Sequence, residues 1–388
     1  MRIAIPIHSF EPGGVERVAL RLAARWEAAG HEVLIVLGRD AGRCRQEAPA
    51  LDYRAVPEPL PTARWETIWM IWCLFHFLRR ERVDVLFCPG NTYAVVCAAM
   101  RLLLGRRCPP VLVKISNDLR RADLPPVMRR FYRGWLRIQG ALLDHFIALA
   151  EPMRPELIAE LGVAPERVSV IADPALSQSE LASPRRDRPR PSAASRHFVS
   201  VGRLVPQKNY ALLLAAFAHC SLPGDRLTIA GDGPERARLE ARIQRLGLAD
   251  RVALPGHVDQ VAQLLAQADV FVLSSDYEGV PAVILEALAA GLPIAATDCC
   301  ASMGWLLPHG DFGIIAAQRD AKALALAMDA ARDLDPPRAR MAAFAAQFTL
   351  GAASRKYLFE MESLSPRLQG EPAEKPPRPM RERSGRGV

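Results

Sequence analysis

A chain of 388 residues exceeds what one hydrophobic core usually serves, so two domains are expected. Half the residues are hydrophobic and 24% are charged, as in ordinary soluble globular proteins, and the longest apolar run, roughly 68 to 78, is well short of the ~18 residues a membrane span needs. The formal charge of +8 is concentrated: ten Arg and Lys lie between Arg101 and Arg137, opposed only by Asp118 and Asp123. Such a window suits an anionic surface, whether phosphate, acidic lipid or nucleic acid.

The chain opens with MRIAIPIHSF, a strand rather than a signal peptide, because no apolar h-region and cleavage site follow. A cytoplasmic protein is expected, with the inner face of the cell membrane within reach. Further strands are expected at EVLIVL (32–37), DVLFC (84–88), VLVKIS (111–116), HFIAL (145–149) and VSVI (168–171). Between the first two, GGVERVALRLAARWEAAG reads as a helix stopped at Gly30. TARWETIWMIWCLFHFL (62–78) is heavy in Trp, and the basic window places Arg129, Arg130, Arg133 and Trp135 in one stretch with Phe131 and Tyr132. Arginines beside aromatic rings suit a membrane interface. Core helices with solvated basic faces fit the pattern equally well.

Residues 177–196, rich in Pro, Ser and Arg, read as an interdomain linker. A second series of strands follows at HFVSVG (197–202), RLTIAG (226–231), RVALPG (251–256), DVFVLS (269–274), PIAAT (293–297) and FGIIA (312–316). Short β runs alternating with helical stretches point to parallel sheets, and two such halves to two Rossmann-like domains facing a central cleft. The domains expected are 1–176, joined by a C-terminal helix at about 344–364, and 197–343. Residues 365–388, Pro- and Arg-rich, are expected to be disordered.

Three stretches carry chemistry. GRLVPQKN (202–209) follows a strand and puts Arg203 and Lys208 at one sheet edge. Two cations there suit phosphate oxygens, or are merely solvated. AGDGPERARLE (230–240) lacks the third glycine of a dinucleotide fingerprint and reads as a tight turn, with Asp232 and Glu235 at the helix start. EGVPAVILEALAAG (278–291) places Glu278 in a loop and Glu286 on the second turn of a helix apolar on every side. A buried carboxylate must have partners. These are either an internal Arg or backbone amide, or the hydroxyls of a ligand such as a ribose diol.

Metal candidates are thin. The D-x-D of Asp333 and Asp335 precedes two prolines and reads as a turn. The histidines are dispersed, with His8 read as polar surface, and no Gly-x-Ser-x-Gly elbow occurs. The eight cysteines form no C-x-x-C pair and read as small buried hydrophobes.

GGVERV, VGRLVPQKN, AGDGPE and SDYEGVPAVILEALAAGLPIAAT occur in this order and resemble the retaining, nucleotide-sugar-dependent glycosyltransferases with the GT-B fold, glycosyltransferase family 4. The resemblance implies an α/β GT-B fold and sugar transfer from a nucleotide diphosphate sugar to an acceptor hydroxyl, in cell-envelope polysaccharide, lipopolysaccharide or glycolipid synthesis. Arg203 and Lys208 would hold the donor diphosphate, Glu278 would face the transferred sugar, and Glu286 would bind the ribose diol. Val258 would meet the base, the backbone of Gly279, Val280, Pro281 and Ala282 would face sugar and phosphate, and Gly13 and Gly14 would form a loop closing over the reaction centre. The nucleotide sugar is a substrate; no cofactor and no metal are expected. A glycan or lipid-linked acceptor is expected, an anionic membrane surface is a further partner, and nucleic acid is not.

Two positions depart from the family pattern. Ser116, Asn117 and Asp118 stand where many relatives carry a histidine, and Asp173 stands where Asn is usual. Rival readings of the same architecture are a nucleotide-sugar epimerase, which would consume no acceptor, and a non-catalytic sugar-nucleotide sensor.

Overall fold

The computed structural model describes residues 1–11, 14–58, 61–121, 124–177, 181, 195–316 and 320–365. Gly13, nearly all of the expected linker and the tail from residue 366 lie outside them.

The first sheet contains β1 (Arg2–Ile7), β2 (Glu32–Leu37), β3 (Asp52–Ala55), β4 (Val85–Cys88), β5 (Val111–Lys114), β6 (His145–Ala148) and β7 (Val168–Val170). Their spatial order is β3-β2-β1-β4-β5-β6-β7, and every pairing is parallel. The second sheet repeats the scheme with β8 (His197–Val201), β9 (Arg226–Ala230), β10 (Val252–Gly256), β11 (Val270–Leu273), β12 (Ile294–Thr297) and β13 (Gly313–Ala316), ordered β10-β9-β8-β11-β12-β13. Each sheet changes winding direction once, between β1 and β4 and between β8 and β11. Chains leaving the carboxyl ends of those strand pairs diverge, which opens a crevice there.

The helices joining these strands are α1 (Gly14–Ala28), α2 (Glu66–Arg80), α3 (Asn91–Leu104), α4 (Pro126–Leu142) and α5 (Arg154–Leu161) in the first half. In the second they are α6 (Tyr210–Cys220), α7 (Arg236–Arg245), α8 (Val261–Ala266), α9 (Ala282–Ala289), α10 (Met303–Leu306), α11 (Ala321–Asp333) and α12 (Arg338–Ala345). The central strands β1, β2, β4 and β11 are buried apolar runs because helices cover both faces of each sheet. One face of the first sheet buries Ile3, Ile5 and Phe87 against Trp26 of α1. The last helix, α13 (Leu350–Leu364), returns to that face. Its Tyr357 ring lies 5.5 Å from Phe87, and the Trp26 indole donates to the Ser354 carbonyl at 3.2 Å.

The sequence had suggested one helix over 344–364. A 3-10 turn at Ala346–Phe348 and the extended Thr349 break it, as Leu176 donates to Phe348 O and accepts from the Leu350 amide. Strand β3 was not anticipated from the sequence. It is a four-residue, half-exposed edge strand without an apolar run.

Candidate active site

The two domains enclose a cleft of about 1510 Å³ lined from both sides. Its second-domain wall grows from the strands that flank the switch point, β8 and β11. At the exit of β8, Gly202 has φ +157°, and a Cβ on Gly231 would fall 1.9 Å from Gly202 O. Only glycine fits where the ends of β8 and β9 approach so closely. The chain then runs through Arg203 to a 3-10 turn, Pro206–Lys208.

That turn is bound to the loop after β11 by a set of hydrogen bonds. Gln207 Nε2 donates to Tyr277 O at 2.8 Å, and the Asp276 amide donates to Gln207 O at 2.8 Å. Asn209, in the left-handed region at φ +44°, donates from Nδ2 to Asp276 Oδ1 and accepts the Leu212 amide at the start of α6. Its short amide side chain makes that backbone position tolerable.

Lys208 Nζ consequently sits 2.6 Å from Glu278 Oε1, which also accepts from Ser275 Oγ at 2.8 Å. Glu278 is 7% exposed, so this pairing satisfies a nearly buried charge. Arg203, by contrast, is exposed at the cleft and makes no ion pair among the described residues. Glu286 is 8% exposed on α9, and its Oε1 lies 3.1 Å from Arg17 Nη2. One partner is thus an arginine, as one of the two sequence readings allowed. That arginine belongs to α1 of the opposite domain and faces the same cleft.

Gly14, Val258, Val280, Pro281 and Ala282 line the cleft, with Pro281 as the residue preceding α9. Gly13 lies outside the described residues. Gly279, between the cleft-lining Glu278 and Val280, pairs with Asn117 of the first domain, and a Cβ there would fall 2.4 Å from Ser116 O. The missing side chain serves contact between domains.

Several buried polar residues were not legible as such. Lys114, on the last residue of β5, forms an ion pair with Asp173 at 2.9 Å, both buried. Asp173 is therefore a charge partner and not simply a turn residue. His8 is buried rather than polar surface, stacked on Tyr93 at 4.6 Å between ring centres. Burial holds its imidazole below the usual range. Asp335 lines the cleft, whereas Asp333 ends α11. No three His, Cys, Asp or Glu gather as a metal-holding group among the described residues.

The Trp-rich helix α2 and the basic helix α4 both pack on α3, which lies between them. On α4, Arg130 and Arg133 are exposed together with Val127, Met128 and Phe131, the last at 76%. Trp135, expected at an interface, is instead half-buried against the core, and Arg129 is half-buried with Nη2 bonded to Leu124 O. On α2, Trp69 is buried and donates to Gly38 O, while Ile68 and Trp72 face out. No helix among the described residues is long and apolar enough to cross a membrane.

Residues 12–174 match the sequence profile described as Glycosyltransferase Family 4, and residues 185–348 the profile described as Glycosyl transferases group 1. An exopolysaccharide phosphotransferase of Streptomyces coelicolor is 35% identical over 196 residues, 50% of this chain and 20% of the relative. A lipopolysaccharide core biosynthesis glycosyltransferase, LpsE, of Rhizobium meliloti is 34% identical over 158 residues, 41% of this chain and 46% of the relative. The matches thus span less than half the length of either curated relative. The solved structure of HepE from Anabaena, in complex with UDP and glucose, superposes with a TM-score of 0.72 at 20% identity, covering 94% of this chain and 100% of HepE. That likeness carries the two-sheet GT-B architecture. With one profile on each side of the cleft and that architecture shared, the chain belongs to the group 1, family 4 glycosyltransferases of the GT-B fold.

Proposed function

We propose that the protein transfers a sugar from a nucleotide diphosphate sugar to an acceptor hydroxyl, with retention at the anomeric carbon. The observation that carries this reading is the meeting of Arg203, Lys208, Glu278 and Glu286 on one wall at the β8/β11 switch point. In the reaction the bond from the anomeric carbon to the diphosphate oxygen breaks and a bond to the acceptor oxygen forms. The acceptor proton passes to the departing diphosphate.

Arg203 and Lys208 serve the charge that grows on that diphosphate, a task for pre-placed cations in a closed site. Lys208 is held by Glu278, so diphosphate binding gives it a second anion to bridge. Glu278, fixed by Ser275 and Lys208, orients the sugar; Glu286 accepts from the ribose diol; Val258 lies beside the base. Closure of the domains excludes water and limits donor hydrolysis.

The acceptor is a glycan or a lipid-linked saccharide of the cell envelope, reached from the cytoplasmic side. The exposed apolar residues of α4 beside Arg130 and Arg133 support docking on an anionic membrane surface. Screening uridine, guanosine and other sugar nucleotides by thermal shift, then following product formation on lipid-linked acceptors, tests the reading. A donor that is bound but only isomerised would replace transfer with epimerisation.

A further inference from the structure

The segment 116–121, which follows β5, makes four contacts across the cleft that the transfer chemistry leaves unexplained. Asn117 forms an antiparallel bridge with Gly279. The Asp118 amide donates to Glu278 O at 3.0 Å, and Asp118 Oδ2 accepts from the Ala301 amide at 2.7 Å. The Arg121 guanidinium lies 4.1 Å from the centre of the Tyr277 ring. One residue, Asp118, thereby ties together the loops that follow β11 and β12 in the opposite domain.

The segment is anchored equally well to its own domain. Glu156 Oε1 of α5 accepts the Leu119 and Arg120 amides at 2.6 and 2.7 Å, and Asn91 Oδ1 accepts the Ser116 amide at 2.7 Å. An arm fixed at its base and bonded to the backbone of residue 278 sets where that residue stands. The rest of Glu278 is also held: its amide by Cys299 O, its carboxylate by Lys208 and Ser275.

We infer that segment 116–121 is an interdomain clasp and that Asp118 is a positioning residue for Glu278. The inference deepens the reading of Glu278 as the residue that orients the transferred sugar, and rests on it. Asp118 acts through the backbone of 278 and the loop at 301 and touches neither reacting atom.

The clasp has a charge cost that makes it observable. Asp118 faces Glu156 from α5 and Glu278 from the loop before α9, with Lys208 bonded to the latter and Arg120 on its own segment. Cys299, in the loop after β12, stays uncharged because its side-chain hydrogen bond with Cys300 and its burial raise its thiol. Burial first, then the Glu156 carboxylate, push Asp118 up to about 7, against the pull of the Ala301 amide. An open clasp returns it to water and to about 4. The folded, closed form therefore binds the proton more tightly, and closure is favoured on the acid side. It weakens by up to about tenfold per pH unit between about pH 4 and 7 and is constant above.

Hydrogen exchange of the full chain tests this, read over residues 275–282 and 299–303 and corrected for the intrinsic pH dependence. Wild-type protection should fall as pH rises towards about 7 and then level off. Asp118→Asn, neutral and able to accept from Ala301, should hold the acid-side protection at every pH. Asp118→Ala should lose it throughout. Wild-type protection independent of pH, or equal protection in the two variants, would overturn the clasp. In transfer assays the wild-type kcat should fall with the clasp as pH rises towards about 7, and Asp118→Asn should abolish that fall; a fall retained in Asp118→Asn would overturn the positioning role. Exchange behaving as described in a protein that binds none of the sugar nucleotides screened would refute the proposed transfer and leave the clasp intact.

Discussion

Arg17 and Glu286 stand 269 residues apart in the chain and 3.1 Å apart across the cleft. The arginine comes from the first turn of α1 and the glutamate from the apolar helix α9. On the proposed reading a ribose diol competes for the carboxylate whose Oε1 Arg17 holds, so donor binding would displace or share that guanidinium. Arg17→Ala should remove that competitor and tighten nucleoside diphosphate binding by about 2- to 10-fold, the worth of one half-exposed charged pair. Calorimetry with UDP and GDP measures it. Weaker binding would instead make Arg17 a direct ligand of the phosphates.

Lys114 and Asp173 form a pair buried on both sides. Removing one partner strands a buried charge, so Lys114→Met should cost about 3–5 kcal/mol of unfolding free energy. The double change Lys114→Met with Asp173→Leu should recover most of that loss, because two apolar groups leave no charge behind. Denaturant midpoints for the single and double variants decide the matter. A double variant as unstable as the single one would show that Asp173 has a second essential role.

Gly279 admits no side chain, since a Cβ would sit 2.4 Å from the Ser116 carbonyl. Gly279→Ala must push the Glu278 loop and the first domain apart, and displacements near 1 Å at a reacting centre cost about 10²-fold in rate. The change should lower kcat by about that factor at near-normal thermal stability. Gly304→Ala, with nothing within 4 Å of its Cβ, is the matched control and should leave kcat unaltered.

The exposed face of α4 should bind vesicles containing anionic lipid and release them as salt rises. Arg130→Ala with Arg133→Ala removes two cations worth about 1 kcal/mol each near such a surface, and should weaken binding about 30-fold. Trp135→Ala should not act through the membrane, because that ring packs on the core. Co-sedimentation with phosphatidylglycerol vesicles separates the two effects.

The strands were legible because sheets covered on both faces demand unbroken apolar runs, as in RIAIPI and EVLIVL. The glycines at 202, 231 and 233 marked strand exits, and the misplaced polarity of Glu286 marked a partner to be found. That the partner is Arg17 was not legible. Periodicity records which face of a helix is buried and says nothing of which distant side chain meets it. The same holds for Asn117 against Gly279 and for Lys114 against Asp173. The β5 end drew notice only as a departure from a family histidine, and its contact with the Glu278 loop appears once both domains are folded. His8 was misjudged for the related reason that a histidine following a strand can turn inward and stack, as it does on Tyr93.

The central claim, that this cleft seats a nucleoside diphosphate with its phosphates on Lys208 and its ribose on Glu286, is tested most directly by one calorimetric comparison. Wild type, Lys208→Ala and Glu286→Ala are titrated with the nucleoside diphosphate that binds best and with its parent nucleoside. Lys208→Ala should weaken the diphosphate by about 10- to 100-fold and leave the nucleoside unchanged, whereas Glu286→Ala should weaken both. Unchanged diphosphate affinity in both variants, or an equal loss for nucleoside and diphosphate in Lys208→Ala, would contradict it.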